Sequence, residues 1–120
     1  MPLYVLNDLP ELRTPVLVAA FDGWVDSGSA ATTAAARLAE GASVAATFVD
    51  DALYDYRARR PTLDIVDGRP SELSWPQLVL HLSHLAERDL LVLSGPEPDY
   101  RWRELASDAA ELAMRLGVRE

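Results

Sequence analysis

The residues best suited to chemistry fall in three short stretches. The first is Asp22-Gly23-Trp24-Val25-Asp26-Ser27-Gly28, between an apolar run and an alanine-rich one. Two carboxylates, a hydroxyl and two glycines at a strand-to-helix junction could build an anion cradle or a nucleophile turn. Ligands of open α/β sheets bind at strand C-termini, and free N–H groups at a helix start attract anions. Asp22 and Asp26 oppose that use, because carboxylates repel an anion. Asp26 or Ser27 as an N-cap, with glycines serving a tight backbone, accounts for the same residues more simply, at about 1 kcal/mol of helix stability. A nucleophilic Ser27 fails on spacing, since Gly-x-Ser-x-Gly is not formed around it. It also needs a base, and His81 and His84 lie far along the chain.

The second stretch holds Glu97, Asp99, Arg101 and Arg103, again after an apolar run. Two carboxylates beside two guanidiniums form either a substrate site or an ion-pair network anchoring the following helix. If both stretches follow parallel strands, they line one cleft, with Asp22, Gly23, Trp24, Asp26, Ser27, Gly28, Glu97 and Arg101 as its candidate residues. The third group is Tyr54, Tyr56, Arg57, Arg59 and Arg60, joined by Trp75. Aromatics and arginine dominate binding hot spots, so this group is the candidate protein interface. The plainer alternative has the tyrosines covering a sheet edge while the arginines neutralise Asp50, Asp51 and Asp55. No metal or cofactor is implied: there is no cysteine, and the two histidines have no third ligand at a recognisable spacing.

Several elements must position these groups. Pro15 to Phe21 is continuously apolar, as in a strand buried on both faces of a parallel sheet. Ser29 to Glu40 predicts a helix stopped by Gly41, with Ala31, Ala34, Ala35 and Leu38 inward. Ser43 to Val49 predicts the next strand, completing a βαβ unit. Residues 50–61 read as a loop or short helical turn. Thr62 to Val66 and the arm ending at Ser74-Trp75-Pro76 flank Asp67-Gly68, a hairpin signal. Gln77 to Leu82 and Leu90 to Ser94 predict strands, and residues 83–87 could extend as a short helix. Trp102, Leu105, Ala106, Ala109, Leu112, Ala113 and Leu116 recur at helical spacing, closed by Gly117.

Composition narrows the function classes. The 120 residues suit one small domain or part of a larger one. A formal charge of −8 argues against nucleic acid and anionic membranes as partners. The absence of cysteine excludes disulfides and thiolate catalysis. No apolar run has the roughly 20 residues of a membrane helix, and Met1 to Arg13 lacks the pattern of a signal peptide. A cytoplasmic protein is expected.

Three segments, read together, point to a family. Pro15 to Thr32, Tyr54 to Thr62 and Gly95 to Arg103, with Ser74-Trp75-Pro76 between the last two, resemble the PAC2 family, the proteasome assembly chaperone 2-like proteins, in its actinobacterial branch. The match spans Leu12 to Gly117. The resemblance implies a three-layer α/β/α fold similar to that of purine nucleoside phosphorylases, and association with itself or other proteins. Eukaryotic relatives help assemble the proteasome α-ring. Members of the family are about twice this length or more, so residues 1–120 read as the truncated, N-terminal part of a single PAC2-like domain.

The expectation is thus an α/β fold with a mostly parallel sheet and a hairpin. The leading function is a non-enzymatic assembly chaperone or scaffold linked to the proteasome, with protein partners, proteasome subunits among them, and homo-oligomerisation. The alternative is a small-molecule binder or a hydrolase- or phosphorylase-like enzyme using the cleft at the strand C-terminal edge. A third reading is a structural fragment with no activity of its own. An isolated chain of this kind would leave an apolar sheet edge open and self-associate.

Overall fold

The computed structural model describes residues 2–23 and 26–120. Along the chain these form β1 (Tyr4–Leu6), β2 (Val16–Asp22), α1 (Ala30–Leu38), β3 (Ser43–Phe48), α2 (Asp50–Leu53), β4 (Thr62–Val66), β5 (Arg69–Ser74), β6 (Val79–His84), β7 (Asp89–Pro96) and α3 (Trp102–Arg115). A single 3-10 turn, Ser27–Ser29, precedes α1.

Five strands form one sheet in the order β1-β3-β6-β7-β2, and β4-β5 stand apart as a hairpin. The expected mostly parallel sheet is not what forms. Among the described residues only β7 and β2 pair in parallel; β1-β3, β3-β6 and β6-β7 are antiparallel. The reason is the tight link between β6 and β7, closed by Leu85 N–H donating to the Arg88 carbonyl at 2.9 Å. So short a connection permits only antiparallel neighbours. Continuous apolar runs report burial on two faces and carry no direction. β2 and β3 still run the same way, with the β6-β7 hairpin inserted between them.

Side chains alternate across β7 and divide the core. Leu90 and Val92 meet Ala35 of α1 on one face, with Val16, Val18 and Ala20 around them. Leu91 and Leu93 join Leu80, Phe48, Leu105 and Leu112 on the other, where α3 lies. Each buried leucine contributes roughly 1.5–3 kcal/mol. The α1 face is thinner than its sequence promised: Ala35 is buried, while Ala34 and Leu38 are exposed. Polar ties fix α3 to the far edge. Asp108 accepts the Leu3 N–H at 2.8 Å, and Arg115 donates to the Tyr4 hydroxyl at 2.9 Å.

Asp89, at 2% exposure, anchors the sheet's other end. Its carboxylate accepts the Arg13 amide at 2.7 Å, the Arg13 guanidinium at 3.1 Å and lies 2.7 Å from His84 Nδ1. Its own N–H donates to the Arg13 carbonyl at 2.9 Å. This clamp fastens the segment entering β2 to the β6-β7 turn.

Candidate functional site

β2, β3 and β7 run in one direction, so their C-terminal ends share one rim of the sheet. Three loops leave that rim, and β6 starts there, with Val79 opposite Ser94. The β4-β5 hairpin, which connects the loop after β3 to β6, therefore projects from the same rim.

The first loop follows β2. The Asp22 carbonyl accepts the Glu97 N–H at 2.8 Å, which stitches the loops after β2 and β7 together. Gly23 has φ +147, and a Cβ there would fall 2.5 Å from Glu97 Cδ, so the carboxylate arm of Glu97 fills the space above it. Asp26 caps α1: its carboxylate accepts the Ala31 N–H at 2.7 Å, the Thr32 N–H at 3.1 Å and the Thr32 hydroxyl. The Thr32 hydrogen bond, more than the opposing effect of desolvation, holds the Asp26 carboxyl below its ordinary range. Ser27 and Gly28 form the exposed 3-10 turn, with Gly28 at φ +65. Trp24 lies outside the described residues.

The second loop follows β3. Leu53 and Tyr54 are buried, and the Tyr54 hydroxyl donates to the Pro96 carbonyl at 2.7 Å. Tyr54 is thus core rather than the surface contact expected of it; burial also pushes its hydroxyl above the usual range. The Leu53 carbonyl accepts the N–H groups of Asp99 and Tyr100. Asp99 in turn accepts the Asp55 N–H at 2.8 Å and pairs with Arg59, Nε to carboxylate 3.3 Å. Arg59 Nη2 is also 3.8 Å from Glu97 Oε1. Arg57 and Arg60 are exposed beside it. Tyr56 stacks edge-on with Trp75 at 5.1 Å, joining the loop to the base of the hairpin, and its hydroxyl donates to Asp51 at 2.8 Å.

The structure therefore joins two groups that were read separately. Arg59, grouped in the sequence with the aromatic loop, completes the acidic pair Glu97 and Asp99. Arg101 does not join them: it sits in the left-handed region at φ 58 and pairs with Glu104 on the first turn of α3. His81 and His84 lie on β6, and His84 serves the Asp89 clamp. No group of three or more His, Asp or Glu is gathered as a metal site among the described residues, and none of their helices is long and apolar enough to cross a membrane.

Sequence reasoning missed the Asp89 clamp. An aspartate opening an apolar strand, with Arg13 preceding the other apolar strand, was the available signal. It missed the hairpin's exposure too. Leu63, Ile65, Val66 and Leu73 are all exposed, Ile65 at 65%. Leu63 faces Leu73, and Ile65 faces Pro70 across the ladder, so the arm carries an apolar face with no layer beneath it among the described residues.

The rim and sheet have known counterparts. Residues 20–120 match the model of the PAC2 family, and this chain belongs to that family. A Mycobacterium tuberculosis protein of unknown function, Rv2714, is 36% identical, with a TM-score of 0.85 over 98% of this chain and 43% of its own. The Mycobacterium tuberculosis proteasome-assembly chaperone homologue Rv2125 is 37% identical, with a TM-score of 0.76 over 86% of this chain and 45% of its own. A PAC2 family protein from Streptomyces avermitilis is 37% identical, with a TM-score of 0.77 over 87% and 46%. The chain thus spans less than half the length of these solved relatives. No curated protein matches it.

Proposed function

We propose that this chain is a non-enzymatic protein-binding member of the family, acting as an assembly chaperone or scaffold on proteasome subunits, and that the rim bearing the β4-β5 hairpin is its binding end. The hairpin carries this reading. A two-stranded hairpin is marginal alone in water, and exposed apolar clusters mark interaction sites. Here Leu63, Ile65 and Leu73 stand uncovered beside Tyr56, Trp75 and the Arg57–Arg60 loop. Residues of this type make hot spots. The chaperone homologue among the solved relatives supplies the partner class.

The rim's ionic groups also favour binding over catalysis. Arg59 already neutralises Glu97 and Asp99, and Asp26 is spent on a helix cap. A general base poised for proton transfer needs a different environment.

The test uses purified proteasome α-subunits from Mycobacterium tuberculosis. Binding to this chain, weakened tenfold or more by Ile65→Asp and unchanged by Glu40→Gln on the far side, supports the reading. No binding at micromolar concentrations, or equal binding by the Ile65→Asp variant, overturns it.

A further inference from the structure

The two edges of the β4-β5 hairpin are not alike. Asp67 and Gly68 make a two-residue turn, at φ 53 and 75, with Val66 opposite Arg69. Residues that close such a turn direct their backbone hydrogen-bonding groups at each other. By alternation along the ladder, Ile65 and Leu63 direct their N–H and C=O groups outward, away from β5. On the other strand, the residue opposite Ile65 is Pro70, which has no N–H to offer. The register shifts between the Leu63–Leu73 and Ile65–Pro70 pairs, so Asp64 alone faces Ser71 and Glu72, and the extra residue bulges β5. Proline, bulges and charge protect natural edges. The outer edge of β5 has all three. β4, Thr62-Leu63-Asp64-Ile65-Val66, is unbroken and carries one charge.

The side chains of β4 narrow what fits beside it. Every residue of both strands is exposed. Leu63 and Ile65 fall on one face of the strand, and Asp64 on the other. Two strands are marginal alone in water, and a third with an apolar face brings independent stability. A second copy of this chain suits the edge poorly. The two-fold antiparallel pairing that sets Leu63 against Ile65 puts Asp64 against the other copy's Asp64, and like charges directly opposite destabilise. A cation in that position stabilises instead. The arginines of the preceding loop end at Arg60, ahead of Pro61 and outside the strand.

We propose that the outer edge of β4 takes up an extended segment of a partner protein as a third strand. That segment carries apolar side chains at alternate positions, beside Leu63 and Ile65, and an arginine or lysine between them, beside Asp64. Its backbone bonds to the outward groups of Leu63 and Ile65. The proposal rests on the hairpin being a binding end, and it names the chemistry of what binds there.

The probe is a blocked synthetic peptide, Val-Arg-Val-Lys-Val, titrated to millimolar concentration against the whole chain and followed by NMR. At saturation it is expected to slow exchange of the Leu63 and Ile65 amides at least tenfold. It is expected to bind about fivefold more tightly than Val-Glu-Val-Glu-Val. A copy methylated on every amide nitrogen keeps the side chains and is expected not to bind. Asp64→Lys should shift the preference toward the acidic peptide by about fivefold, whereas Glu40→Lys, the same charge change on the far side, should shift it little. Equal binding by the methylated copy, equal shifts in the two variants, or no binding overturns the proposal. Protection of Leu63 and Ile65 that grows with protein concentration alone assigns the edge to a second copy and overturns it too. The rim reading is judged separately. Proteasome α-subunits that bind in an Ile65-dependent way, yet leave the Leu63 and Ile65 amides fast, keep that reading and refute the third strand. Peptide pairing without α-subunit binding supports the third strand and overturns the α-subunit assignment.

Discussion

Arg59 and Asp99 are 40 residues apart in the chain and 3.3 Å apart at the rim. Their contact joins the loop after β3 to the loop after β7, across the intervening β6. The pair is partly exposed, with side chains at 25% and 21%, so its own contribution is modest. Arg59→Met removes the cation facing both Glu97 and Asp99 and is expected to cost about 1 kcal/mol in urea unfolding. Arg101→Met, which breaks only a surface pair with Glu104, should change stability by less than about 0.5 kcal/mol. Equal losses in the two variants would deny the rim cluster any special role.

Two glycines near the rim should differ in tolerance. At Gly95, φ +152, an added Cβ falls 2.3 Å from the backbone oxygen of Gln77. At Gly23 the obstacle is the flexible Glu97 side chain, which can turn aside. Gly95→Ala is therefore expected to cost more than about 3 kcal/mol, and Gly23→Ala roughly 1–2 kcal/mol. Thermal melts of the two variants decide the order.

Acid should loosen the end of the sheet opposite the rim. Burial by itself would raise the Asp89 carboxyl. The Arg13 amide, the His84 ring and the Arg13 guanidinium outweigh burial and hold it at about 2, below its ordinary 3.8. A carboxyl depressed in the folded state stabilises fully above its unfolded pKa. That stability, on the order of 2 kcal/mol, fades as pH falls from about 4 to about 2. Urea midpoints across this window should drop more steeply for the native chain than for Asp89→Asn. Parallel profiles would locate the acid sensitivity elsewhere.

Substitutions in the hairpin should separate binding from folding. Leu63, Ile65 and Leu73 are exposed, so Ile65→Asp is expected to move global stability by less than about 0.5 kcal/mol. Amides of β4 and β5 should exchange far faster than those of β7. A loss above 2 kcal/mol for Ile65→Asp would mean that the arm is part of the core.

Elements with a strong local pattern were legible in the sequence. The spacing of Leu105, Ala109 and Leu112 marked α3, and Asp67-Gly68 marked the hairpin turn, where both residues take positive φ. Sheet order was not legible. The β6-β7 link could be read for direction, but nothing local tells that this pair inserts between β3 and β2. The rim was half legible. Asp22 and Glu97 could be placed after strands, whereas the Arg59–Asp99 contact depends on where β3 lies. Tyr54 misled because an aromatic next to charges reads as surface, while its hydroxyl is satisfied by the Pro96 carbonyl and its ring is buried.

The clamp of Arg13, His84 and Asp89 gives the molecule a haft and a working head. The two are separated by the full length of β7, and one can be gripped without disturbing the other. β1 begins at the head, since Tyr4 lies opposite Phe48, so a tether ahead of Tyr4 would crowd the rim. A tether at Glu120 would start beside Leu17, whose N–H donates to the Glu120 carbonyl. The turn at residues 85–88 belongs to the haft and is clear of the rim. A label or surface linkage placed there presents the hairpin, the Arg59 cluster and the β2 edge together, each open to whatever arrives.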